Sequence, residues 1–434
     1  MRILHVTHRF LPHHVAGTEV YAAALCRGLR ERGHTQQIFT GDPEADAAHA
    51  DDWEGLPVHA IPWGVGGWRG PVSTFLAGFF NPAVERRFAQ VYAEFQPEVV
   101  HVHHLMGLSP ALPAIARRHG ARVVVTLHDY WFVCSNTWLY RWHGAVCPGP
   151  GWGYYCGGCA AHRLGLRPNP LLMNLTAPIF VARTAVLRRA LLTAHRLIAP
   201  SQIVARLFAR HGVPPERIAV VPHGLTEASP APARADDRPR SLRFVYVGSL
   251  IRPKGAHIAI QAFDRVSDPR AQFHLYGDLT ADPGYTAELR GLAHHPGIEF
   301  KGPVARDQVK EVLLGADILL LPSLWYEAFS IIVDEALQAG LPALASDHGA
   351  PAERIVAEVN GLTAPPGDVE AWQRQMQRLV DDPALIARLS RGIQPPKRLT
   401  QHAADIETLY ARLLRGNSEG PAAPDGGGAE RGQW

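Results

Sequence analysis

Two carboxylates, Glu327 and Glu335, stand eight positions apart in the run Trp325-Tyr-Glu-Ala-Phe-Ser-Ile-Ile-Val-Asp-Glu-Ala-Leu-Gln-Ala-Gly-Leu-Pro. Ser330 lies between them and is a good N-cap residue for a helix. A helix beginning there leaves Glu327 just before its first turn and Glu335 inside it, roughly 12 Å apart at about 1.5 Å per residue. Free N–H groups and the helix dipole make such a start an anion site. A phosphate held there would have a hydroxyl-binding carboxylate on either side, which is the layout a nucleotide sugar needs. The elements that position these groups are legible too. Apolar runs at 318–322 and 342–346 read as buried parallel strands. Strand, acidic loop, helix and strand make one βαβ unit whose loop opens at the carboxyl end of the sheet, where α/β folds bind ligands.

The Glu-x7-Glu spacing is followed by Ala-x3-Gly-x-Pro and by Ser346-Asp347. Together these resemble the retaining glycosyltransferases of family 4, which have the GT-B fold: two Rossmann-like α/β domains facing a cleft, with a C-terminal helix crossing back to the first domain. The resemblance covers nearly the whole chain before its last residues and is strongest in the second half. It implies that Glu335 binds the ribose hydroxyls and that Glu327 lies near the transferred sugar. Ser330 and the amides after it would hold phosphate. The loop 248–255 follows a strand at 243–247 and is similar to the family's Gly-Arg-x4-Lys-Gly loop, so Lys254 is expected at the leaving diphosphate, where negative charge builds. Ser249 stands where the family has arginine, and Arg252 is the expected substitute. The loop 12–19 resembles a Gly-Gly-x-Glu loop with Ala16 in place of the first glycine; Gly17 would permit close backbone approach to the donor phosphate or to the acceptor. Thr126-Leu-His-Asp-Tyr-Trp131 resembles the His-Asp pair of one branch of the family. This places His128 beside the donor sugar and Asp129 against it or the acceptor. His101, His103 and His104 either line the same cleft or are satisfied core residues.

The resemblance implies retention at the anomeric centre, a donor that is a UDP-, GDP- or ADP-sugar, and an acceptor that is a glycan or lipid-linked intermediate of surface polysaccharide. No catalytic metal is expected. Two rivals remain: a GT-B sugar-nucleotide epimerase or hydrolase, and a catalytically weak glycan- or nucleotide-binding protein, for which Ser249 and Ala16 are the relevant departures.

Cys134, Cys147, Cys156 and Cys159 fall in one Gly- and aromatic-rich segment, and Cys156-Gly-Gly-Cys159 has zinc-knuckle spacing. Similar cysteines occur in the branch of the family with His-Asp-Tyr-Trp. A structural zinc, free or redox thiols, and an iron–sulfur cluster all remain open, with His143 and His162 as substitute ligands. Residues 163–196 mix apolar side chains with arginines. They read either as an interfacial segment meeting a membrane-held acceptor or as core helices with a solvated basic face.

At 434 residues, 47% hydrophobic and 19% charged, the chain is long enough for two globular domains. A net charge of +3 argues against nucleic acid as a partner. The reading has no signal peptide and no uninterrupted apolar run of membrane-spanning length. It expects a cytoplasmic protein with peripheral contact at the inner membrane face. Strands are expected at 3–7, 99–103, 123–127, 196–200 and 218–222, then at 243–247, 273–276 and 298–300. The expected domains are an acceptor-side domain over 1–225 with a Cys-rich insertion at 134–162, a linker at 226–241, a donor domain over 242–399, a crossover helix at 400–415 and a disordered tail at 416–434.

Overall fold

The computed structural model describes residues 1–12, 14–65, 70–226 and 242–416. The first domain is built on β1 (Arg2–Thr7), β2 (Thr35–Asp42), β3 (His49–Trp53), β4 (Leu56–Pro62), β5 (Val99–Val102), β6 (Arg122–Thr126), β7 (Arg196–Ala199) and β8 (Ile218–Val220), in the sheet order β3-β4-β2-β1-β5-β6-β7-β8. The second uses β9 (Arg243–Val247), β10 (Gln272–Tyr276), β11 (Ile298–Gly302), β12 (Ile318–Leu321), β13 (Ala343–Ser346) and β14 (Gly361–Ala364), ordered β11-β10-β9-β12-β13-β14. The strand pairs are parallel except β3 with β4. Every residue of β5, β7, β12 and β13 is buried, because helices cover both faces.

The expected strands are present, with ends shifted by a residue or two. Four more were not read from the sequence. The hairpin β3–β4 turns at Glu54 and Gly55, both at positive φ (52° and 81°). Its outer strand, His-Ala-Asp-Asp-Trp, is mostly exposed and lacks the apolar pattern that marks a buried strand. Although rich in residues of low helix propensity, the end of the insertion forms the helix Tyr154–Arg163, which carries Cys156 and Cys159. Its glycines allow close packing. A Cβ on Gly157 would lie 2.3 Å from Thr176 Oγ1, and one on Gly158 would lie 2.5 Å from the Trp142 ring.

Topology positions the site. In the first sheet β1 lies between β2 and β5; in the second β9 lies between β10 and β12. These are the switch points at which open α/β sheets leave a crevice beyond the strand ends. The segments leaving β1 and β5 carry His8, His103 and His104, and those leaving β9 and β12 carry Lys254 and Glu327.

The domains are joined by more than the connecting segment, of which 227–241 lies outside the described residues, as do residues 417–434 of the tail expected at 416–434. Trp325, Tyr326 and Ala328 of the acidic loop pack into the first domain's core. Ser201 Oγ donates to the Ala328 carbonyl at 2.7 Å. The Glu353 carboxylate accepts from the N–H groups of Gln202 and Ile203, at 2.8 and 2.6 Å, where the helix Gln202–Arg210 starts. The last helix, Leu399–Leu414, returns to the first domain and packs on the helix Gly17–Glu31. Gly28 permits this contact, since a Cβ there would come 2.9 Å from Ala403 Cβ. Tyr21 and His402 share a hydrogen bond of 2.9 Å across this contact, and His101 and Tyr410 one of 2.6 Å.

Candidate active site

Lys254 ends a short 3-10 turn, Arg252–Lys254, after β9. Gly255 follows at φ +72°, and a Cβ there would sit 1.9 Å from the Pro322 carbonyl oxygen. Only glycine lets this turn rest on the end of β12. The consequence is an ion pair between the switch-point loops: Lys254 Nζ lies 2.8 Å from Glu327 Oε1. Glu327 is buried and also accepts from Ser323 Oγ. Its backbone is held from the other side, where the Ala350 N–H donates to the Glu327 carbonyl at 2.9 Å. The groups expected at the diphosphate and at the sugar are therefore in direct contact.

Ser330 is the N-cap of the helix Ile331–Gln338, as the spacing predicts, but its side chain makes no capping bond. The helix Gly17–Glu31 likewise starts without a side-chain cap at Ala16. The two starts are close together: a Cβ on Gly17 would be 3.9 Å from Ile331 Cδ1. Two positive helix ends, one per domain, thus lie near each other at the cleft, and each favours an anion. Glu335 lies one turn in. Arg306 Nη1 is 3.0 Å from its Oε2, beside a cavity of about 120 Å³ also lined by Lys310 and Gln338. Burial raises the Glu335 carboxyl, and the Arg306 contact opposes it.

His128 and Asp129 follow β6. Asp129 accepts from the Trp131 N–H at 2.8 Å and from His104 Nε2 at 3.2 and 3.3 Å. His104 must donate there, because its Nδ1 accepts from the Met106 N–H at 3.1 Å. Burial alone would raise the Asp129 carboxyl, but His104 and these hydrogen bonds bring it below its ordinary value.

His128 ends a chain of side chains running back through the sheet. Gln36 Nε2 donates to the Cys26 carbonyl at 2.9 Å, so its Oε1 accepts from His5 Nε2 at 2.9 Å. His5 Nδ1 then accepts from His103 Nε2 at 3.1 Å, and His103 Nδ1 from His128 Nε2 at 3.3 Å. Burial keeps each ring neutral, lowering His5 to about 4, His128 to about 3 and His103 well below its ordinary value. A neutral imidazole carries one N–H, so the Gln36 amide fixes every tautomer in the chain. His128 Nδ1 is left as a hydrogen-bond acceptor. His101 is instead a satisfied core residue, bonded to Tyr410 and to Thr126 at 2.6 and 2.7 Å.

Arg252 pairs with Glu288 and lies over the Tyr285 ring at 5.2 Å, so it is directed to the helix Pro283–Leu292 rather than paired beside Lys254. Cys134, Cys147, Cys156 and Cys159 do gather, around one cavity of about 10 Å³. That is about the room of a single small sphere, and four cysteines are a donor set structural zinc uses, but no three of their sulfur atoms lie within 4.8 Å of one another, so they would have to draw together around an ion. Burial pushes the Cys156 thiol up to about 12 and Cys159 to about 11. His5, His101 and His103 also place ligand atoms within 4.8 Å of one another, but the hydrogen bonds above already engage all six ring nitrogens.

Three further site groups were not singled out from the sequence. Glu19 is buried, with Oε1 3.6 Å from His8 Nε2 and Oε2 without a hydrogen-bond partner; burial raises its carboxyl. Its signal was present, as the last residue of the Gly-Gly-x-Glu match. His8 had only its position after a strand. Arg306 had none, since nothing links it to a carboxylate 29 positions later.

Two Rossmann-like domains, with ionic groups at both switch points and neighbouring helix starts between them, define a glycosyltransferase of the GT-B class. Residues 15–228 match the model Glycosyltransferase Family 4, and residues 233–394 match Glycosyl transferases group 1. The chain belongs to family 4 of the glycosyltransferases. It is 32% identical over 210 residues to an exopolysaccharide phosphotransferase of Streptomyces coelicolor, covering 46% of this chain but only 21% of that protein. It is 24% identical to a D-inositol 3-phosphate glycosyltransferase of Xylanimonas cellulosilytica, covering 92% of both. Among solved structures, sucrose-phosphate synthase from Thermosynechococcus elongatus superposes with TM-score 0.70 at 19% identity (96% of this chain, 99% of that one). HepE of Anabaena in complex with UDP gives 0.65 at 17% (95% and 100%).

Proposed function

We propose that this glycosyltransferase moves a hexosyl residue, with retention, from a nucleoside diphosphate sugar to a glycan or lipid-linked acceptor of a surface polysaccharide. The carrying observation is the closeness of the helix starts at Gly17 and Ile331, together with the Lys254–Glu327 ion pair in the loop before the second of them. The helix amides and Lys254 hold the diphosphate, and Ser330 lies at the same helix start. Glu335 takes the ribose hydroxyls once Arg306 gives way. Glu327 and His128 Nδ1 accept hydrogen bonds from the sugar. The bond from the anomeric carbon to the phosphate oxygen breaks, and the bond to the acceptor oxygen forms on the same face. The acceptor proton passes to the leaving diphosphate. Asp129 orients the acceptor hydroxyl. UDP, GDP and ADP sugars are the candidate donors, and the UDP complex of HepE favours testing UDP first.

The four cysteines hold a structural zinc in the same reading, supported by their common cavity, and their sulfurs draw closer together when it binds. Purification under reducing conditions in zinc-supplemented buffer should give about one zinc per chain, and a metal-free product would refute the site. Localisation at the cytoplasmic face of the membrane completes the reading.

A panel of nucleotide sugars and free nucleotides, scored by thermal shift and slow donor hydrolysis, tests the function. Stabilisation by one nucleoside diphosphate and its sugar is expected. Stabilisation by none would contradict the donor site.

A further inference from the structure

The 24-residue helix Pro170–Thr193 is, by length and composition alone, long and apolar enough to cross a membrane. It packs instead against the helix Tyr154–Arg163, and Arg183 interrupts its apolar run, buried, with Nη2 donating to the Trp131 carbonyl at 3.1 Å. The core-helix alternative holds for the second half of the helix, where Leu187 and Leu191 join the core, but the first half is largely exposed. Leu171 is 79% exposed, Leu175 76% and Ile179 44%. Their spacing of four puts them on one face of the helix, and a monomeric protein rarely leaves such a row in water without a use for it.

That row leads into a pocket of about 550 Å³, with Ile179 and Phe75 in its walls. Arg9, Met106 and Trp131 also line it. Each is one or two residues from a member of the His8–His104–Asp129 group, so the pocket connects the exposed face of the helix to the candidate active site. Its charges have one sign. Arg9, Arg163 and Arg183 line it, and no acidic residue does so among the described residues. The Arg183 guanidinium lies 5.0 Å from the Trp131 ring centre. Arg9 Nε is buried without a hydrogen-bond partner among the described residues, an arrangement that costs free energy unless a ligand accepts from it.

We propose that this pocket binds a lipid phosphate, a hydrocarbon chain ending in phosphate or diphosphate, drawn from a membrane on which the helix Pro170–Thr193 rests. Apolar walls take the chain, guanidinium groups take the anion, and the exposed leucines enter the lipid interface. The proposal deepens the glycosyltransferase reading, on which it rests only for the role of this ligand as acceptor.

The test titrates farnesyl diphosphate, inorganic diphosphate and farnesol into the full chain with UDP saturating the donor site, followed by calorimetry. Farnesyl diphosphate should bind at least about tenfold more tightly than either fragment, since burial of several methylene groups adds to the charge contact. Ile179→Asp should abolish that preference while its melting temperature and its UDP affinity match the wild type. Equal affinity for farnesyl and inorganic diphosphate, no binding of farnesyl diphosphate, or wild-type preference in Ile179→Asp would overturn the proposal. A chain that prefers farnesyl diphosphate yet binds no nucleotide would support the pocket and contradict the donor site instead.

Discussion

Lys254 and Glu327 are the residues on which structure and chemistry meet. Glu327 is buried beside a cation 2.8 Å away. Removing that cation leaves a buried carboxylate unpaired, which costs roughly 3 kcal/mol. Lys254→Ala should therefore lower stability in urea by about that amount, and should lower donor turnover about 10²-fold by taking away charge stabilisation of the leaving group. Unchanged turnover would remove Lys254 from the diphosphate. His128 allows a spectroscopic test. The chain from Gln36 requires its neutral form with the proton on Nε2, and ¹⁵N spectra of the imidazoles should show that tautomer near neutral pH. His103→Leu should release the constraint, and an unchanged His128 spectrum in that variant would refute the relay. Both glutamates, Lys254 and the His-Asp pair were legible because a motif carries them. The relay was not, because its members lie on β1 and β2 and just after β5 and β6, and meet only when β1 pairs with β2 and β5, and β5 with β6.

Among the elements, the turn between β9 and its following helix sets the geometry of the donor side. Gly255 has both a left-handed φ and no space for a side chain. Gly255→Ala should cost more than about 1 kcal/mol, the usual penalty at such a φ being joined here by a backbone clash. It should also displace Lys254, so that affinity for nucleoside diphosphate falls even where the protein stays folded. Calorimetric titration of the folded variant checks this, and wild-type affinity would contradict it. Strands buried on both faces were readable from apolar runs such as Ile318-Leu-Leu-Leu. The hairpin β3–β4 and the helix Tyr154–Arg163 were not, because exposed acids in one and paired glycines in the other carry poor local propensity that tertiary packing overrides.

For the whole molecule, the buried histidines make stability depend on pH. His5, His128 and His402 titrate near 6.5 when unfolded and at about 4, 3 and 4 when folded. Between those values the unfolded chain binds more protons. Their contribution is complete above about pH 6.5 and is lost as pH falls towards the folded values, at roughly 1.4 kcal/mol per pH unit for each imidazole. Melting temperature should hold level above about pH 7 and drop steeply below about pH 6; a flat profile down to pH 4 would show that these rings are accessible to protons. The GT-B arrangement itself was legible from the order of runs and motifs. The closeness of the domains was not, since Ser201, Glu353 and the return helix act through contacts over distances no local pattern records.

The central claim is a diphosphate site completed by both domains, and calorimetric titration of UDP, GDP and ADP into the wild type, Lys254→Ala and Gly17→Asp tests it most directly. Gly17 has ordinary van der Waals room for a Cβ, and aspartate there adds negative charge at the helix start. One nucleotide should bind the wild type, and both variants should weaken it at least about tenfold. A variant in either domain that binds as tightly as the wild type would contradict a shared site.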